Sequence, residues 1–206
     1  MSIAPPSASL METAPSDWPM QRLSVGQYHR LTESGVFTED DNLELLEGWI
    51  ISKMAKNPPH DSRVMWTQEV LCKLLPPGWH CRNQCSLDTT DSVPEPDVCV
   101  VRGDILDFED RHPTRDDVTL VVEVADSSLA GDRLKRRIYA RAGIPAYWIL
   151  NLVDSQLEVF TEPNGLGRNA DYARESILTR SDCVRLLLPT LAPIDVAVSD
   201  LVPRQE

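Results

Sequence analysis

The chain has 206 residues, of which 42% are hydrophobic and 25% charged, ordinary globular proportions that exclude disordered, collagen-like and coiled-coil readings of the whole. Thirty-two acidic residues against twenty basic ones give a formal net charge of -12. That balance excludes a protein that coats nucleic acid or anionic membrane through its bulk field, so any phosphate-directed function must be local.

Residues 1–20 are rich in Pro, Ser and Ala without a sustained period and read as a mobile tail. One domain is expected over residues 21–206. A short helix is predicted from Ser24 as N-cap, through Gln27, Tyr28 and Leu31, to a stop at Gly35. Two strand-like pieces follow in the stretch from Asn42 to Ala55. They flank Glu47-Gly48, a dipeptide akin to the Asp-Gly turns of tight hairpins, which puts Glu44 on the first strand and Trp49 on the second. Pro58 and Pro59 end that hairpin and pre-set a helix, amphipathic over residues 60–75, with His60, Val64, Leu71, Leu74 and Leu75 on its inward stripe.

Strands are then expected at residues 80–87, 97–101 and 118–124, the last nearly all apolar and suited to a buried central position. A helix over residues 131–142 ends at Gly143. Residues 146–152 read as another buried strand, hairpin-paired with residues 156–162. Further strands are placed near 176–178 and 184–188. Strand, helix, strand in the middle of the chain implies a helical crossover, hence an α/β (α+β) fold with a mixed sheet flanked by helices and additional hairpins.

No apolar run reaches the roughly 18–20 residues needed to span a bilayer, and the N-terminus shows no basic segment followed by an apolar one, so no membrane association and a cytoplasmic location are expected. The cysteines, Cys72, Cys81, Cys85, Cys99 and Cys183, are odd in number and scattered, as reduced core thiols would be. His80, Cys81 and Cys85 lie close together but lack the second pair that would complete a zinc site.

Three charges fall where charge is costly. Glu123 sits inside VTLVVEV; it either reaches solvent at the strand end or needs a cation, donors or a raised pKa. Asp97 follows Pro94-Glu95-Pro96, as a turn carboxylate or as an inward acid. Lys135 falls within the apolar stripe of its helix, whereas Arg133, Arg136, Arg137 and Arg141 lie on the other side. Its stem either snorkels to water or its ammonium meets acids on the adjacent strands. Two carboxylates on neighbouring strands plus a lysine is what metal-assisted phosphodiester hydrolysis requires, because hard oxygens hold Mg²⁺ and an ammonium stabilises developing charge.

The spaced set LELLEG, PEPDVCVV, VTLVVEVADSS and DRLKRRIYARAGIPAYWIL resembles the Uma-two family of restriction-endonuclease-like proteins, a branch of the PD-(D/E)XK nuclease superfamily, over about residues 23–202. The resemblance implies a restriction-endonuclease-like core and a Mg²⁺ cofactor, with Mn²⁺ as a substitute. It implies Asp97 and Glu123 as the metal-holding acids, Glu44 as an additional acidic member and Lys135 as the catalytic lysine. The superfamily lysine stands two residues after the acid, where this chain has Ala125, so the resemblance moves it to the following helix. Asp132 matches the family's Asp ahead of that lysine at a spacing one residue shorter, and Trp49 stands where relatives often carry an acid. His60, on the inward stripe, is an accessory candidate or a packing histidine. Gln84 is a candidate phosphate or water contact on the strand before Asp97, or an exposed strand residue. Tyr139, Tyr147 and Trp148 read as core.

The leading expectation is a Mg²⁺-dependent DNA endonuclease, with a homodimer suggested by the task of cutting two strands. The competing ones are a catalytically inactive nuclease-like module that binds nucleic acid or protein, and a structural dimer whose acids are buried ion-pair members. Residues 127–145 hold five basic residues and one acid and form the only basic segment, so phosphate binding is expected to be weak, salt-sensitive and steered from this helix.

Overall fold

A computed structural model describes residues 20–53 and 57–202. The expected N-terminal tail, save Met20, and the end of the stretch after the hairpin therefore lie outside the described residues. Helix α1 (Val25–Glu33) starts at Ser24, whose hydroxyl accepts from the Gln27 N–H while the Gln27 side chain accepts from the Ser24 N–H. This reciprocal capping box satisfies two amides that the first turn would otherwise leave open.

Strands β1 (Leu43–Leu46) and β2 (Trp49–Ser52) pair antiparallel across Glu47 and Gly48, with φ of 52° and 80°. Both central residues are left-handed, as a type I′ hairpin turn demands. Gly48 is also required sterically, since a Cβ there would come within 2.7 Å of Arg22 Cβ. Helix α2 (Pro58–Leu74) has Asn57 as its N-cap, the side-chain oxygen accepting from the His60 N–H. Its buried positions are His60, Val64, Thr67 and Leu71. Leu74, expected on the inward stripe, is the last helical residue and is 38% exposed.

A six-stranded sheet has the order β3-β4-β5-β6-β7-β8, built from β3 (Trp79–Arg82), β4 (Val98–Arg102), β5 (Val118–Ala125), β6 (Ala146–Asn151), β7 (Gln156–Asn164) and β8 (Asp171–Leu178). Only β5 and β6 run parallel, because helix α3 (Leu129–Ala142) returns the chain between them; the other neighbours are antiparallel. Gly143 ends α3 with φ 78°, the left-handed stop expected of a C-terminal glycine. The strand predicted at 80–87 stops at Arg82: Gln84 turns left-handed at φ 50° and its N–H goes to Pro96 O instead of a strand partner.

All eight residues of β5 are buried, and its alternating side chains serve two cores. Val122 and Val124 face α2 together with Val98 and Val100 of β4, whereas Val121 and Ala125 face α3 together with Cys99 and Val101. By the same period of two, Asp97 and Glu123 belong to the α3 face. Strands β9 (Cys183–Leu186) and β10 (Ile194–Ala197) form a small hairpin that, with α4 (Val198–Leu201), closes the α2-side core. Truncating a fully buried leucine in these layers, such as Leu120, should cost about 2–5 kcal/mol. The sheet therefore holds Asp97 and Glu123 on a rigid support.

Candidate active site

Asp97 immediately precedes β4, and the pairing of Val98 with Val122 sets it beside Glu123 on β5. The two are laced through the backbone. The Asp97 N–H donates to Glu123 Oε2 at 3.3 Å, and the Val124 N–H donates to Asp97 Oδ2 at 2.9 Å. His60 Nε2, at the first turn of α2, lies 3.2 Å from the same Asp97 Oδ2.

Helix α3 supplies the facing wall. Its buried residues include Asp132, Ile138, Tyr139 and Ala142, and the centre of that arc falls on Lys135. Leu134 instead lies at the arc's edge and is 60% exposed, so the inward face is rotated away from it. Lys135 Nζ sits 3.2 Å from Glu123 Oε1 and 3.3 Å from Glu44 Oε1. The Tyr139 hydroxyl donates to Glu123 Oε1 at 2.8 Å. Glu44, on β1, also accepts from the Glu95 N–H at 3.4 Å. The Ser128 hydroxyl donates to Asp132 Oδ2 at 2.5 Å.

These groups open onto one cavity of about 390 Å³, lined by Glu44, Asp97, Glu123, Asp132, Lys135 and His60 among others. Of the candidate site residues Glu44, His60, Gln84, Asp97, Glu123, Asp132 and Lys135, Gln84 alone is absent from its wall, for the turn after β3 carries it elsewhere. Sequence reasoning missed Asn57, Glu95, Asp126 and Ser128. Asn57 donates to Asp126 Oδ2 at 2.7 Å while capping α2, and Lys53 pairs with Glu95 at 2.5 Å. A readable signal existed for Asn57 alone, as an Asn directly before two prolines that open a helix.

Four carboxylates share this cavity with one ammonium, and the electrostatics register the excess. Burial is the main force raising Glu123 to about 8, with Lys135 opposing and Asp97, Asp132 and Glu44 adding. Asp132 is raised to about 6, again chiefly by burial, against the pull of Lys135 and Ser128. Burial works against the Lys135 charge, but Glu123, Glu44 and Asp132 outweigh it and hold the ammonium protonated well above its ordinary range. Among the described residues, no three His, Cys, Asp or Glu side chains stand arranged to hold a metal ion. The chemistry of the donor set suits a hard divalent cation nonetheless: oxygen ligands with surplus negative charge, facing a cavity.

The arginines of α3, the basic segment of the chain, are engaged in ion pairs. Arg133 pairs with Glu158 at 2.6 Å, and Arg136 with Asp171 and Glu175 at 2.8 and 3.0 Å. Arg137 and Arg141 both bind Glu47, at 2.6 and 3.0 Å, and Arg141 also binds Asp91. Each guanidinium is already met by an acid from a neighbouring strand or loop.

A mixed sheet flanked by helices, with acids on adjacent central strands and a lysine on the crossover helix, defines a nuclease-like α/β protein. A crystal structure described as a putative nuclease belonging to DUF820 from Anabaena variabilis ATCC 29413 shares the fold, with a TM-score of 0.61 at 12% identity over 87% of this chain and 97% of that one. The family model described as "Uma2: Putative restriction endonuclease" matches residues 25–197, and the chain belongs to that family. No curated protein matches it. No helix among the described residues is long and apolar enough to cross a membrane.

Proposed function

We propose that the protein is a divalent-metal-dependent endonuclease that hydrolyses phosphodiester bonds of DNA in the cavity between β1, β5 and α3. The observation that carries this reading is the meeting of Glu44 and Glu123 at Lys135, with Asp97 laced to Glu123 beside them in one cavity. Asp97 and Glu123, with Glu44, would hold Mg²⁺ or Mn²⁺. When bound, such an ion polarises a phosphoryl oxygen and lowers the pKa of a water.

The chain's own groups prepare that chemistry. Tyr139 and Lys135 fix one oxygen of Glu123 from two directions, and His60 and the Val124 N–H fix one oxygen of Asp97. Lys135 brings a permanent positive charge to the place where negative charge grows on the phosphate oxygens in the transition state. Ser128 holds Asp132 in the cavity wall.

The test is incubation of plasmid and oligonucleotide DNA with Mg²⁺, Mn²⁺ or chelator. Metal-dependent cleavage that falls roughly 100-fold or more in Asp97→Ala and Glu123→Ala is expected. Cleavage that survives both substitutions overturns the reading. No cleavage, together with no divalent-ion binding by calorimetry, supports instead a nuclease-like module that binds without cutting.

A further inference from the structure

We infer that the substrate enters this site as a single strand, with one unstacked nucleobase seated against an apolar wall at the cavity mouth, and not as intact duplex. The inference rests on the nuclease reading above and narrows its substrate class.

Depth is the first reason. Glu44, Asp97 and Glu123 are 4%, 6% and 3% exposed, so a phosphate reaches them only by descending into the cavity. The cavity volume of about 390 Å³ is near the lower end of the roughly 300–1,000 Å³ typical of small-molecule sites. That is room for a nucleotide unit, whereas a stiff duplex carries its phosphates on the outside of a cylinder whose bending toward a recess costs elastic energy.

The second reason is the chemistry of the rim. On one side β2 contributes Trp49 and Ile51, and on the other α3 contributes Leu134 and Ile138. Ile51 is 40% exposed and Leu134 60% exposed, although both stand beside a highly charged site. Arg22 lies over the Trp49 ring with its guanidinium carbon 5.2 Å from the centroid. Aromatic and aliphatic faces beside a carboxylate floor suit a base lying flat above its own phosphate, the stacking mode by which single strands are gripped. With the α3 arginines already paired to acids, this rim offers little cationic grip to a backbone of either form, which leaves stacking as the contact it can make, and only an unstacked base can use it.

The third reason lies beyond the cavity. Asp126 is also a wall of a second, open hollow, lined by Arg63 and Trp66 on the next turns of α2. Trp66 is 45% exposed, its indole N–H donating to Asp200 O, and Arg63 donates to Leu201 O and has no carboxylate partner among the described residues. An arginine and an exposed tryptophan in succession offer a phosphate contact and a stacking face to a strand leaving the cavity.

The experiment compares a single-stranded oligonucleotide, a forked one and a blunt duplex of the same sequence, in wild type, Trp49→Ala, Trp49→Phe and Leu134→Asp. Leu134 is exposed, so its substitution leaves the core intact. Single-stranded and forked substrates should be cut at least about tenfold faster than the blunt duplex. Trp49→Ala and Leu134→Asp should raise KM by roughly tenfold with little change in kcat, and Trp49→Phe should restore it. Blunt duplex cut as fast as single strand, or a KM indifferent to Trp49 and Leu134, overturns the inference and leaves the nuclease reading standing. Single strand bound in a Trp49-dependent manner, by fluorescence anisotropy, but never cut, supports the subsite and removes the nuclease reading. Neither binding nor cleavage of any strand overturns both.

Discussion

Tyr139 and Lys135, one turn apart on α3, both donate to the same oxygen of Glu123, at 2.8 and 3.2 Å. The crossover helix thus does two jobs at the sheet: its tyrosine packs as core and its lysine compensates charge, and both set the orientation of one carboxylate. Because Glu44 approaches the same ammonium from the β1 side, three elements distant in sequence share a single positive charge.

Surplus negative charge at this point should make the metal-free protein resist ionisation of Glu123. Its carboxyl is raised from 4.5 to about 8, mainly by burial. An acid raised on folding costs nothing below its unfolded value, and its cost grows as pH climbs from 4.5 to 8. Glu123→Gln should therefore match the wild-type Tm near pH 4.5 without metal and exceed it by a few degrees at pH 8, while abolishing cleavage. Thermal scans across this pH range check it, and a gap that narrows as pH rises contradicts it.

Removing the ammonium acts in the opposite sense. Lys135→Met leaves Glu44 and Glu123 buried without their common partner, a change of the kind that costs about 3–5 kcal/mol. Cleavage should fall at least about 100-fold. If these acids bind a divalent ion, added Mg²⁺ should raise the Tm of Lys135→Met more than that of wild type, since the ion replaces the lost charge. Equal shifts in the two proteins would argue against metal at these carboxylates.

Legibility of the fold followed how local each cause was. The hairpin turn at Glu47-Gly48 and the helix stop at Gly143 are conformational demands of single residues, readable from the chain. The β5-α3-β6 crossover is readable because an all-apolar strand precedes an amphipathic helix. Strand β10 and helix α4 have only four residues each and owe their burial to β9 and α2, so nothing local announces them. In the site, the inward lysine and the acids inside apolar strands stood out because charge there demands compensation. The fate of the α3 arginines did not, because their partners Glu47, Asp91, Glu158 and Asp171 come from remote strands and loops. Tyr139 was readable as core but not as a donor, since a buried phenol announces its ring and hides the partner of its hydroxyl.

Glu47 is the clamp between the hairpin and α3. It receives two hydrogen bonds from Arg137, at 2.9 and 2.6 Å, and one from Arg141 at 3.0 Å, which hold its carboxyl below the usual range. Through this clamp β1 presents Glu44 to Lys135. Glu47→Gln should lower stability by about 1–3 kcal/mol, the scale of hydrogen bonds to charged groups, and reduce kcat by loosening Glu44. Arg137→Lys should lose part of the same stability, because a lysine cannot reproduce the two-pronged contact. Denaturant melts with single-turnover rates measure both, and a fully stable Glu47→Gln would show that the hairpin is held by other contacts.

Asn57 joins α2 to the loop after β5 with one amide: its oxygen accepts from the His60 N–H and its nitrogen donates to Asp126 at 2.7 Å. Asn57→Asp keeps a helix-capping oxygen but turns the second contact into a meeting of two carboxylates. Capping alone is worth about 0.5–2 kcal/mol, so a mutant that retains it should lose stability only at Asp126, through the lost amide hydrogen bond and the new repulsion. Two consequences separate the contributions. Asn57→Asp should be destabilised, and Asp126→Asn in the same chain should restore it. A double-mutant cycle in urea measures the coupling. If the two substitutions are simply additive, the amide bridge does not hold the loop, and α2 and β5 keep their places through Val64 and Val124 in the shared core instead.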